Sequence, residues 1–179
     1  MAITQMSFNF LKMLVQNKHV DVVKVLIKAG GNVNQARTTD GASPLWMASQ
    51  KGNVAIVKVL IKAGGNVNQA KTDGATPLFM ASQNNHPNIV QHLLSIPNIN
   101  INQSMNNGAS PLVIGTYLGS YESVQQLFQH STIDTTLTFE NKTALQYAQP
   151  NERATAWAFL EGQINMEGRQ KILQLFNTN

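Results

Sequence analysis

VKVLIKAGGNVNQA runs from Val23 to Ala36 and returns, letter for letter, from Val57 to Ala70, 34 residues further on. A second string keeps pace with it: GASPLWMAS from Gly41, GATPLFMAS from Gly74, GASPLVIGT from Gly108 and a degraded NKTALQYAQ from Asn141, spaced 33, 34 and 33 residues apart. Self-similarity at such a period marks an array of small supersecondary units rather than one folded sheet or bundle.

The physics of one unit can be read from Gly41 to Thr72. Ser43 offers an N-cap acceptor, and Pro44 suits the first helical turn because its missing N–H would be unpaired there anyway. The spacing predicts a short first helix from Pro44 to about Lys51, ended by Gly52. A second helix is predicted from about Val54 to Ala63. Its apolar Ile56, Val57, Leu60 and Ile61 recur at helical spacing, while Lys58 and Lys62 fall on the other side. Gly64 and Gly65 stop it. Asn66 to Asp73 then projects as an extended, hairpin-like finger with its turn at Asp73-Gly74. Two short helices cannot bury their shared apolar face alone, so each unit is stable only when stacked on its neighbours.

These strings resemble the ankyrin repeat, with its Gly-x-Thr-Pro-Leu-His-x-Ala stretch, a Gly, a Val-Val-x-x-Leu-Leu helix and a Gly-Ala-Asp-Val-Asn ending. The resemblance covers roughly residues 7 to 149. Its usual His is replaced by Trp46, Phe79, Val113 and Gln146, so that residue's local hydrogen bonding is lost or supplied otherwise. Asn66 stands in place of the usual Asp, and Gly64-Gly65 in place of Gly-Ala. The fold class implied is an all-α solenoid of stacked helix-turn-helix units with hairpin fingers. Residues 1–38 read as an N-terminal capping repeat, with Phe10, Leu11, Leu14 and Val15 at first-helix positions. Residues 39–72, 73–106 and 107–139 are central repeats, and 140–179 hold a degraded repeat and a helical cap. In that cap 151–161 and 165–176 look helical, with a stripe of Ile172, Leu173 and Phe176.

Composition excludes several classes. Hydrophobic residues make up 42% and charged residues 12%, too apolar for a disordered tail, yet no stretch approaches an uninterrupted membrane span. The first residues lack the pattern of a signal peptide. Zero cysteines remove thiolate catalysis, disulfides and cysteine zinc sites, and fit a reducing cytoplasm.

Catalysis needs converging groups, and none converge in the sequence. His86 and His92 are six apart and share no metal-ligand spacing on a helix. His86-Pro87 falls where the repeat has its Gly-His step, which points to a local structural role. The acids are scattered, with no general acid–base pair. The paired glycines end helices rather than begin them, unlike a phosphate loop. No enzymatic activity, catalytic residue, cofactor or metal is expected.

A net charge of +4 raises the question of nucleic acid. Lys24 with Lys58, and Lys28 with Lys62, would align as a ladder on the outer helices. It lacks interleaved aromatics and reads as a solvated face, which leaves nucleic-acid or anionic-surface binding as the alternative. Short amides such as Asn66, Asn68 and Asn100 crowd the fingers, where they can satisfy turn backbone or face a partner. Ankyrin fingers also serve as substrates for an asparaginyl hydroxylase that prefers a Leu eight residues before the target Asn and an acid two before. Asn34, Asn68 and Asn102 have the Leu at Leu26, Leu60 and Leu94, but Asn instead of the acid.

A helical wheel turns Leu45, Ala48 and Ser49 inward, and Met47, Gln50 and Lys51 the opposite way. In the next repeats Met80, Gln83, Asn84 and then Ile114, Tyr117, Leu118 should point outward. The resemblance implies that this side, with the finger tips, forms the concave binding surface. The expected partner site is a groove lined by Met47, Met80, Ile114, Tyr117 and Leu118, rimmed by Asp40, Lys51, Asn84, Asp73 and Asn107. The expected partner is another protein, bound by a monomeric adaptor, scaffold or competitive inhibitor. A further alternative is a fragment of a bacterial effector acting on a host protein in the host cytosol. That reading joins the family analogy to a composition rich in Asn, Gln, Ile and Lys.

Overall fold

The computed structural model describes residues 19–148. Among these, eight helices follow in order: α1 Val20–Lys28, α2 Pro44–Gln50, α3 Val54–Lys62, α4 Pro77–Gln83, α5 Pro87–Leu94, α6 Pro111–Leu118, α7 Tyr121–Phe128 and α8 Ala144–Tyr147. One two-stranded sheet pairs β1, Thr138–Phe139, antiparallel to β2, Lys142–Thr143. The inner layer stacks α2 on α4, α4 on α6 and α6 on α8, and the outer layer stacks α1, α3, α5 and α7 in the same sequence. Within a repeat, α2 packs on α3, α4 on α5 and α6 on α7. This is an all-α solenoid. The helical caps expected at residues 1–18 and 149–179 lie outside the described residues.

Each inner helix starts the same way. Ser43 accepts a hydrogen bond from the Trp46 N–H (3.1 Å), Thr76 from Phe79 (3.0 Å) and Ser110 from Val113 (3.2 Å). The residue standing in for the family's His therefore supplies its backbone N–H to the cap, whatever its side chain. In the degraded repeat Thr143 caps the Gln146 N–H and the Gln146 side chain returns to the Thr143 N–H, a complete capping box. Gln146 restores by this route one local hydrogen bond. The inner helices α2, α4 and α6 are then turned into their outer partners by a left-handed residue: Gly52 (φ 70°), Asn85 (φ 51°) and Gly119 (φ 75°). Asparagine tolerates this conformation. At Gly52 a side chain is also barred by the His86 ring, 2.7 Å from where a Cβ would stand.

The core is the row of leucines and β-branched residues between the two layers: Leu45, Leu78 and Leu112 from the inner helices, Ile56, Val57, Leu60, Ile89, Val90 and Leu93 from the outer, all at most 1% exposed. Ile56, Val57 and Leu60 of the expected apolar face of the second helix are buried, and Ile61 is half-buried at its edge.

Hydrogen bonds between repeats recur at the same steps. His86 bonds the Gln50 carbonyl (3.2 Å), and Ser120, its equivalent one repeat on, donates to the Gln83 carbonyl (3.2 Å). The fingers are joined by asparagine bridges. Asn34 donates to the Gly64 carbonyl (3.0 Å) and accepts from the Asn66 N–H (2.7 Å). Asn68 donates to the Asn98 carbonyl (2.8 Å) and accepts from the Asn100 N–H (2.9 Å). Asn102 does the same with Thr132 (2.8 Å) and Asp134 (2.9 Å). Asn32, Asn66 and Asp134 instead bond the N–H two residues on, within their own turn. The finger amides thus divide into local turn-formers and inter-repeat bridges, and Asn34, Asn68 and Asn102 belong to the second kind.

Two changes test this framework. Leu60→Ala should cost about 2–5 kcal/mol in a denaturant titration, because the fully buried site collapses only in part. Asn68→Asp keeps an acceptor for Asn100 but cannot donate to the Asn98 carbonyl while ionised, so it should cost about 1–2 kcal/mol. Protonation restores a donor, so the gap in melting temperature to wild type should narrow as pH falls; a constant gap would mean that the bridge contributes nothing.

Candidate functional site: the groove between inner helices and fingers

The fingers fold back over the inner helices because each closes in a tight turn. The Arg37, Lys71 and Met105 N–H groups donate to the Ala42, Ala75 and Ala109 carbonyls (2.9, 3.0 and 2.9 Å). Asp40, Asp73 and Asn107 accept from the N–H two residues on, at Ala42, Ala75 and Ala109. Successive fingers are stitched by Thr72 N–H to the Asp40 carbonyl (3.0 Å) and Asn106 N–H to the Asp73 carbonyl (2.8 Å). Finger and helix together border an open hollow of about 360 Å³. Met80, Phe79 and Gln83 of α4 line it, flanked by Trp46 and Gln50 of α2 and Ile114 of α6. Lys71, Asp73, Met105 and Asn107 line it from the fingers.

Of the expected site residues, this hollow brings together Asp73, Met80, Asn107 and Ile114. Asp40, Met47, Lys51, Asn84, Tyr117 and Leu118 do not line it. The expectation that Met47, Met80 and Ile114 stand out into an open groove is corrected: they are only 4%, 7% and 8% exposed. A wheel drawn for one helix omits the inner helices on either side and the finger bases above, and these roof over a side chain that the wheel turns outward. Tyr117 is half-buried and packs edge-on against Phe139 (5.9 Å between centroids) and Tyr147 (5.1 Å), so it too is packing in large part. Leu118, 46% exposed, does face out, as do Lys51, Asn84 and Asn107. Asn84 spends its amide on the Met80 carbonyl (2.8 Å).

Lys71 is the residue that the sequence reading missed. Its ammonium lies 3.0 Å from Asp73, 3.6 Å from Asp40 and 4.9 Å from the centroid of the Trp46 ring. Asp40 is held further by a two-pronged contact from Arg37. The signal was available: Arg37, Lys71, Met105 and Phe139 recur every 34 residues just before each finger's turn. The Arg37 hydrogen bond lowers the Asp40 carboxyl from the ordinary 3.8 to about 2 against the pull of burial, with the Ala42 N–H and Lys71 adding to it. At Asp73 burial pushes upward, but the Ala75 N–H and Lys71 outweigh it and leave the group below its ordinary value.

On the outer layer a second hollow of about 490 Å³ lies between α3 and α5, lined by Val54, Lys58, Asn88, Gln91, His92 and Ser95. Burial, and then Lys58, keep His92 below its ordinary value. Lys24, the next rung of the expected lysine ladder, pairs with Asp21 (3.1 Å). Among the described residues no group of three or more His, Asp or Glu could hold a metal ion, and no helix is long and apolar enough to cross a membrane.

A carboxyl with a depressed folded-state value contributes stability above its unfolded value and loses it as pH falls through the folded one. The Asp40 contribution should therefore disappear between about 3.8 and about 2. Acid melts should show Asp40→Asn less stable than wild type at neutral pH, with the two curves converging across that window.

No curated protein matches the chain. Residues 11–105, just over half of it, match the family model for ankyrin repeats (3 copies). Ankyrin repeats are generally protein–protein interaction modules, and the family is typically non-enzymatic. With the stacked helix pairs, the capped inner helices and the bridged fingers already described, the chain belongs to the ankyrin-repeat family.

Proposed function

We propose that the protein is a cytoplasmic interaction module, an adaptor, scaffold or competitive inhibitor, that holds a partner protein in the groove between its inner helices and fingers. The observation that carries this reading is the hollow over α4. Its lining joins the apolar and aromatic Trp46, Phe79, Met80 and Ile114 to the Gln50 and Gln83 side chains and the Lys71–Asp73 pair. An apolar lining with a few placed polar groups suits insertion of side chains from another protein. Methionines adapt their shape to an incoming side chain, and Met80 and Met105 line the walls.

The reading is tested at positions that the core does not use. Gln50→Arg with Gln83→Arg should reduce capture of partner proteins from lysate by more than about tenfold, the ratio set by about 1.4 kcal/mol, with the melt unchanged. Lys24→Glu with Lys58→Glu on the outer layer should leave capture intact. The reverse pattern, with steep salt dependence, would replace this proposal with an anionic-surface binder.

A further inference from the structure

Two repeated positions along the inner helices and fingers change from charged to apolar along the array. The inner helices begin at Pro44, Pro77 and Pro111, so Lys51, Asn84 and Leu118 occupy one position in three successive repeats. That column passes from a cation to an amide to an aliphatic side chain. The finger column passes in the same sense from Arg37 and Lys71 to Met105 and Phe139. At the charged end Arg37 is taken up by Asp40, and Lys71 is shared between Asp40 and Asp73. Lys51 is exposed and makes no ion pair among the described residues, whereas the exposed Lys142 at the other end lies over the Tyr147 ring (5.6 Å to its centroid). At the other end Leu118 is 46% exposed and follows Tyr117, whose ring packs on those of Phe139 and Tyr147.

From this gradient we infer that the groove recognises an extended segment of its partner that carries a carboxylate at one end and a bulky apolar side chain at the other. The inference rests on the groove being the binding site. Lys51 receives the carboxylate, and Leu118 receives the apolar anchor. Between them the carboxamides of Gln50 and Gln83 make no side-chain hydrogen bond among the described residues. An amide both donates and accepts, which matches the unpaired backbone of an extended chain; a helix would satisfy its own backbone and leave the amides idle. Packed helices lie about 8–10 Å apart, so two steps from Lys51 to Leu118 span roughly 16–20 Å. An extended chain rises about 3.3 Å per residue, which sets the acid and the anchor about five or six residues apart.

The test pans a displayed library of random linear peptides on the full chain. The enriched peptides should place Asp or Glu about five or six residues from Leu, Ile, Phe or Trp, the spacing set by the strand rise. With one such peptide made synthetically, Lys51→Glu should weaken binding by about tenfold or more and make the library select Lys or Arg instead. Leu118→Ser should weaken the same peptide by about tenfold without changing the preferred charge. Both side chains are exposed, so melts should not move. Enrichment without an acid, or an unchanged charge preference in Lys51→Glu, overturns the inference. So does the absence of any enriched peptide, although lysate capture lost in the Gln50→Arg, Gln83→Arg variant would then still support the groove. Peptides that bind that double variant undiminished overturn the groove itself.

Discussion

A helix of seven residues, the length of α2 and of α4, has no stability of its own in water, where even favourable sequences need about 12–15. Everything else in this protein follows from that constraint. The helix persists because Leu45, Leu78 and Leu112 are enclosed between layers, and because each unit receives its neighbours on both sides. A unit that borrows stability from its neighbours must meet them in one register. The regular hydrogen bonds from His86 and Ser120 to the preceding repeat's Gln50 and Gln83 carbonyls serve that register.

The asparagine bridges carry the same register out to the fingers. One amide group donates to one backbone carbonyl and accepts from one backbone N–H of the next repeat, and the geometry repeats at Asn34, Asn68 and Asn102. These amides are therefore committed to the array and are not on offer to a partner. At the C-terminal ends of the inner helices and on the finger turns, by contrast, the side chain changes from repeat to repeat while the backbone does not. A scaffold held by invariant contacts can vary its surface at little cost in stability, because exposed substitutions away from caps and core are usually within about 0.5 kcal/mol of neutral.

The ion pairs at the finger turns belong to both roles. Lys71 ties the first finger to the second through Asp40 and Asp73, and its ammonium also covers the Trp46 ring at the edge of the hollow. Exposed pairs of this kind contribute little individually, but a network with low exposure holds the turns in place while leaving charge at that edge.

Most of the fold of the described residues was legible in the sequence. The 34-residue return of VKVLIKAGGNVNQA set the period, Ser43-Pro44 and its counterparts marked where inner helices begin, and Gly52 marked where the first of them turns. These are local signals: a cap, a proline or a left-handed residue acts within a few residues of itself, so the chain's own order reveals it. The face that each side chain presents in the assembled array was not local. Met47, Met80 and Ile114, which the wheel turns outward, lie buried, because solvent exposure depends on the neighbouring repeats and on fingers about a repeat away. The pairing of Lys71 with Asp40, and the second role of Asn68 as a bridge to Asn98 and Asn100, likewise join residues about 30 positions apart. Sequence determined the unit and its period; stacking alone decided which surface was left over for function, since that surface is made by several units at once.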